Sequence, residues 1–98
     1  ENEEEVRQGE DFGDTGAEAG MVRLFINIGK KKGVRPGDIL GAIAGESSIS
    51  GDLVGAIDVH DQYTFVEVPK EVAKDVMYGM RHAKIKGKSV SMEPANRK

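Results

Sequence analysis

Three of the chain's five aromatic rings stand where they could act by stacking. Phe25 lies inside Leu24-Phe25-Ile26, while Tyr63 and Phe65 are two places apart in Tyr63-Thr64-Phe65-Val66-Glu67-Val68. In extended chain, residues two apart point to the same face. A flat aromatic face suits nucleobases, and each stacked base is worth ~1–3 kcal/mol. Cations that could meet phosphates stand nearby in two groups. Lys30, Lys31, Lys32 and Arg35 belong to a loop bracketed by Gly29 and Gly33, and Lys84, Lys86 and Lys88 alternate further on. Contacts of that kind give salt-dependent affinity and little sequence information. Plainer roles exist for each. The rings could shield one another or pack under a tail, the lysine triplet could be a solvated turn, and alternating lysines guard strand edges against aggregation.

Other chemistry finds little support. The chain has no cysteine and only His60 and His82 as histidines, so disulfides, thiolate sites and histidine-rich metal sites are excluded. His60 beside Asp58 and Asp61 reads as a polar hairpin residue rather than a metal ligand or acid–base group. Gly87-Lys88-Ser89 looks like the end of a phosphate-binding loop, but His82 stands where that loop needs its first glycine. No histidine is placed to activate a serine. No catalytic residue, metal or cofactor is expected, and Met77, Met80 and Met92 read as core fillers.

The elements that must position the rings fit in one domain of 98 residues with 38% hydrophobic content. No apolar run approaches the ~20 residues of a membrane span. The N-terminus is acidic where a secretory signal is basic. A cytoplasmic location is expected, and the start at Glu1 without methionine suggests a piece of a longer chain. The net charge of −3 conceals an asymmetry: residues 1–20 carry −7, and residues 21–98 carry +4. Residues 1–20, with only Val6 and Phe12 as large apolar groups, read as an acidic disordered linker. The domain is placed at 21–93, with a tail at 94–98.

Within the domain, residues 21–28 read as a strand with Val22, Leu24, Ile26 and Ile28 inward. Pro36-Gly37-Asp38 opens a helix carrying Ile39, Leu40, Ala42 and Ile43, and Gly45 stops it. A single turn near 47–53 has Ser50 as its N-cap. Residues 54–60 and 63–68 form a hairpin across Asp61-Gln62. Pro69 starts a second helix over 70–82, and residues 84–92 form a last strand. The order βαββαβ is the α+β, ferredoxin-like sandwich: a four-stranded antiparallel sheet with two helices on one face. The open face would carry Phe25, Tyr63 and Phe65 on its two central strands.

Leu24-Phe25-Ile26 and Tyr63-Thr64-Phe65-Val66-Glu67-Val68 resemble the first- and third-strand signatures of an RNA recognition motif. More specifically, the run from Arg23 to Gly29, then Gly33-Val34-Arg35-Pro36-Gly37-Asp38-Ile39-Leu40-Gly41-Ala42-Ile43, resembles the DbpA-type RNA-binding domain. So do Ile49-Ser50-Gly51-Asp52-Leu53-Val54-Gly55-Ala56-Ile57 and Ile85-Lys86-Gly87-Lys88-Ser89-Val90. That domain sits at the C-terminus of bacterial DEAD-box ATP-dependent RNA helicases. The resemblance implies a non-enzymatic accessory domain that tethers structured or single-stranded RNA, ribosomal RNA in some members, beside an ATPase core in the same parent chain. It adds weight to Phe25, Tyr63 and Phe65 as stacking residues, and to Lys30, Lys31, Lys32 and Arg35, then Lys86 and Lys88, as phosphate contacts. Asp61 and Gln62 replace the basic residue and glycine that usually open the third-strand signature, and Asp58 and Glu67 bring negative charge to the open face. Those carboxylates favour the alternative of a protein–protein interaction or dimerisation domain on the same fold.

Overall fold

The computed structural model describes residue 17 and residues 19–95. The expected linker over 1–20 falls almost wholly outside these residues, as do Arg97 and Lys98. The chain enters β1 (Met21–Ile26) and makes a 3-10 turn at Lys30–Lys32 before α1 (Pro36–Ser47). A second 3-10 turn, Gly51–Leu53, leads to the hairpin of β2 (Ile57–Val59) and β3 (Thr64–Pro69). Helix α2 (Lys70–Met80), the short β4 (Lys84–Ile85) and β5 (Lys88–Ser89), and finally β6 (Met92–Pro94) complete the fold.

The main sheet is antiparallel throughout, in the order β2-β3-β1-β6. β1 and β3 are therefore central, as the ferredoxin-like order requires. Alternation sends Val22, Leu24 and Ile26 of β1, with Val66 and Val68 of β3, into a core completed by Ile39 and Ile43 of α1 and Ala73, Val76 and Met80 of α2. Burying side chains of this size is worth ~1.5–3 kcal/mol each. Leu40, counted in the apolar stripe of the first helix, instead points outward at 36% exposure.

Three expectations about the elements are corrected. Gly45 does not stop α1; the helix runs to Ser47 and closes on Ser48 in the left-handed region (φ 60°). Packing of the two helices outweighs the ~1 kcal/mol a mid-helix glycine costs, with the Ser47 hydroxyl donating to the Val76 carbonyl at 3.5 Å. Residues 54–60 supply only three strand residues, because the chain first crosses Glu67 irregularly: Gly55 N–H donates to the Glu67 carbonyl at 2.7 Å. The third correction concerns residues 84–92, which are not one strand. Lys86 (φ 56°) and Gly87 (φ 77°) fold β4 back on β5 through a turn with two successive left-handed residues. Ile85 and Val90 anchor this hairpin in the core, and the fourth strand of the sheet is β6. Pro94, assigned above to a tail, pairs with Leu24, and Ala95 is buried.

Candidate nucleic-acid interface

The register of the central strands sets Phe25 directly opposite Phe65, and Arg23 opposite Glu67. Tyr63 precedes β3 by one residue but stays on the same face. The Phe25 and Tyr63 ring centroids are 5.6 Å apart, and Phe65 meets both edge-on at 6.0 and 5.4 Å. All three rings are half-buried on the face away from the helices. A fourth ring joins them. His60 stacks on Tyr63 at 4.7 Å and meets Phe65 edge-on at 5.8 Å. Sequence reasoning passed over His60 as a polar turn residue, although its place two residues after Asp58 on an outward face was the available signal.

Two carboxylates of this face have partners within the domain. Glu67 is nearly buried, and its Oε2 accepts from Arg23 Nη2 at 3.0 Å. The Arg23 guanidinium also lies 5.7 Å from the Phe65 centroid, within cation–π range. Asp58 Oδ2 is 2.9 Å from His60 Nε2, which must donate because an ionised carboxylate only accepts. Glu67 therefore does not face the rings as a bare charge, whereas the Asp58 side chain remains 68% exposed. The fourth strand contributes one more: Glu93 stands opposite Phe25 in β6 and is exposed. Lysines expected beside this strand are displaced into the β4–β5 hairpin.

The basic turn is fixed by backbone. Gly29 is buried against the β2–β3 turn, where a side-chain carbon would fall 2.7 Å from Tyr63 N and 2.8 Å from the Asp61 carbonyl carbon. That close approach lets Lys30 N–H donate to the His60 carbonyl at 2.8 Å and Lys31 N–H to the Asp61 carbonyl at 2.9 Å. Ile28 and Val34 are buried on either side, so the Lys30–Lys32 side chains project outward.

The predicted cations do not form one patch. Lys31, Lys32 and Lys88 line one cleft together with Asn27, Asp61, Gln62 and Ser89, so three cations share it with one carboxylate. Asn27 is held by the chain leading into β6: its Oδ1 accepts from Ser91 N at 2.8 Å. Lys30 turns the other way, towards His60 and Tyr63. Arg35 is exposed just ahead of α1, where its backbone N–H donates to Asp38 Oδ2 at 3.0 Å. Lys86 sits in the hairpin turn with its ammonium 3.7 Å from the same carboxylate. Thus Lys31, Lys32 and Lys88 converge beyond the end of β1, while Arg35 and Lys86 lie away from that cleft. Among the described residues there is no group of three or more acidic, histidine or cysteine side chains able to hold a metal. No described helix is long and apolar enough to cross a membrane.

Comparison with known proteins places this arrangement. Residues 23–94, from within β1 to the end of β6, match the DbpA RNA binding domain. The chain is 42% identical to the ATP-dependent RNA helicase DbpA of Escherichia coli over 74% of its own length and 16% of that protein. It is 32% identical to the ATP-dependent RNA helicase DbpA of Bacillus subtilis, over 79% of this chain and 16% of that one. Identity to the ATP-dependent RNA helicase DeaD of Haemophilus influenzae is 33%, over 68% and 11%. The chain thus spans only about a sixth of the length of the first two. A match that takes in all four strands of the sheet and both helices shows that the chain belongs to the DbpA RNA-binding domain family.

Proposed function

We propose that this domain tethers RNA for a DEAD-box ATP-dependent RNA helicase, with unpaired bases on the aromatic face and phosphates in the cleft beside it. The observation that carries the reading is the contiguous cluster of Phe25, Tyr63 and Phe65 on the open sheet face, next to converging Lys31, Lys32 and Lys88. A strand of RNA stacked on the rings and running along β1 would pass over Asn27 into that cleft. Ribosomal RNA is a substrate class of suitable chemistry, since it offers single-stranded loops joined to rigid duplex. Strand separation belongs to an ATPase core in the same parent protein, and the domain supplies local concentration rather than chemistry. The protein-docking alternative loses part of its support, because Glu67 is paired with Arg23 within the domain.

An amide NMR titration with a short RNA hairpin carrying a single-stranded flank tests the reading. Shifts at Phe25, Tyr63, Phe65 and residues 31, 32 and 88 are expected. Shifts confined to the helix face would overturn the site, and none at low salt would overturn RNA binding itself.

A further inference from the structure

The aromatic cluster does not stop at the three rings on the central strands. At the β2–β3 turn, Lys30, Asp58, His60, Asp61, Gln62 and Tyr63 enclose a separate pocket at the corner of the sheet. Its wall is the His60 imidazole, which is 38% exposed and already stacked on Tyr63. Its ring has partners on two further sides: Nε2 lies 2.9 Å from Asp58 Oδ2, and the Phe65 ring stands nearly perpendicular to it at 5.8 Å. The His60 backbone is clamped as well, because its carbonyl accepts from Lys30 and its N–H donates to Tyr63. A flat ring fixed before the ligand arrives loses little entropy on binding. Beside it stand one cation, Lys30, the Gln62 side-chain amide and two carboxylates, Asp58 and Asp61.

From these residues we propose that the pocket binds one further unpaired nucleotide of the RNA, with the base stacked on His60 and its phosphate at Lys30. Asp58 is the positioning residue for the ring. Gln62 and Asp61 supply acceptors for an exocyclic amino group on the base edge, which adenine, cytosine and guanine carry and uracil lacks. The proposal rests on the reading of the sheet as a base-stacking face. It goes beyond that reading by adding a nucleotide position off the central strands, built on a residue that carries no aromatic signature.

The test is binding of labelled single-stranded oligoadenylates of increasing length to the 98-residue chain. Short oligomers fill the central rings alone, and longer ones also reach the pocket. His60→Ala is expected to weaken only the longer oligomers, by roughly five- to a hundredfold, and His60→Phe to restore them. Lys30→Gln should lower the salt slope by ~0.7 for those same lengths. If His60→Ala binds every length like the native chain while Phe65→Ala is weakened, the pocket is overturned and the sheet reading stands. If Phe65→Ala is also unaffected, both fall. A loss that His60→Phe fails to restore would overturn stacking as the role of His60.

Discussion

Gly29→Ala offers the sharpest test of how the basic turn is held against the aromatic face. The glycine backbone is extended (φ −153°, ψ −157°), so alanine meets no conformational penalty there and the effect must be steric. The new methyl would lie 2.7 Å from Tyr63 N and 2.8 Å from the Asp61 carbonyl carbon, and nearer still to the His60 carbonyl oxygen. Ordinary contact begins at 3.4 Å, so the two backbones must part by at least ~0.7 Å. Neither side can yield by rotating a side chain, since every atom met is backbone. The same displacement stretches the hydrogen bonds from Lys30 and Lys31, now 2.8 and 2.9 Å, to their limit. Two such bonds are worth about 1–3 kcal/mol together, and overpacking adds ~1–3. The reduced freedom of the unfolded chain returns ~0.4–1 kcal/mol. A net loss of about 1–6 kcal/mol is therefore expected, read as a lower urea midpoint at unchanged m. Hydrogen exchange at the Lys30 and Lys31 amides should accelerate, and RNA affinity should fall with a shallower salt slope. A native midpoint with both amides still protected would refute the account.

Five further outcomes follow from the same geometry. Gly79→Ala should cost ~1–3 kcal/mol in denaturation despite its better helix propensity, because its Cβ would lie 2.6 Å from the Glu46 carbonyl oxygen of the neighbouring helix. Gly41→Ala, with nothing within 4 Å, should instead stabilise by up to ~1 kcal/mol. Lys86→Asn should raise the melting temperature by up to roughly 4–8 °C, since asparagine tolerates the left-handed first position of the β4–β5 turn and the surface pair with Asp38 contributes little. In RNA binding, Phe65→Ala should cost ~1–3 kcal/mol at constant salt slope. Lys31→Gln with Lys32→Gln should flatten that slope by about 1.4; equal slopes in the two proteins would remove the division between stacking and phosphate contact.

The parts of the fold governed by simple periodicity were readable from the chain. Alternation through Val22, Leu24 and Ile26 put Phe25 outward, and the apolar spacing of Ala73, Val76 and Met80 defined the second helix. What escaped depends on backbone conformation or on partners distant in sequence. A lysine in the left-handed region carries no local signal, so the turn at Lys86 was invisible and residues 84–92 looked continuous. Met92-Glu93-Pro94 has poor strand propensity and becomes a strand only because β1 offers it an edge. The neutralisation of Glu67 by Arg23 follows from a register the residues imply but do not display. His60 joins the rings because the short β2–β3 turn brings it back over Tyr63, a consequence of geometry rather than of residue type.

The position of β6 sets the timing of synthesis. Leu24 pairs with Pro94, 70 places later, whereas its other neighbour, Val66, comes 42 places after it. At translation rates of ~5–20 residues per second, β1 waits roughly 4–14 s for its last partner, against microseconds for a hairpin to close. During that wait the aromatic rings can already meet across β1 and β3, while the other side of β1 presents unpaired amides and carbonyls. The nascent domain thus owns its aromatic face before it owns a complete sheet. In that interval the free edge of β1 is open to pairing with a strand of another chain, a hazard that β6 ends when it docks.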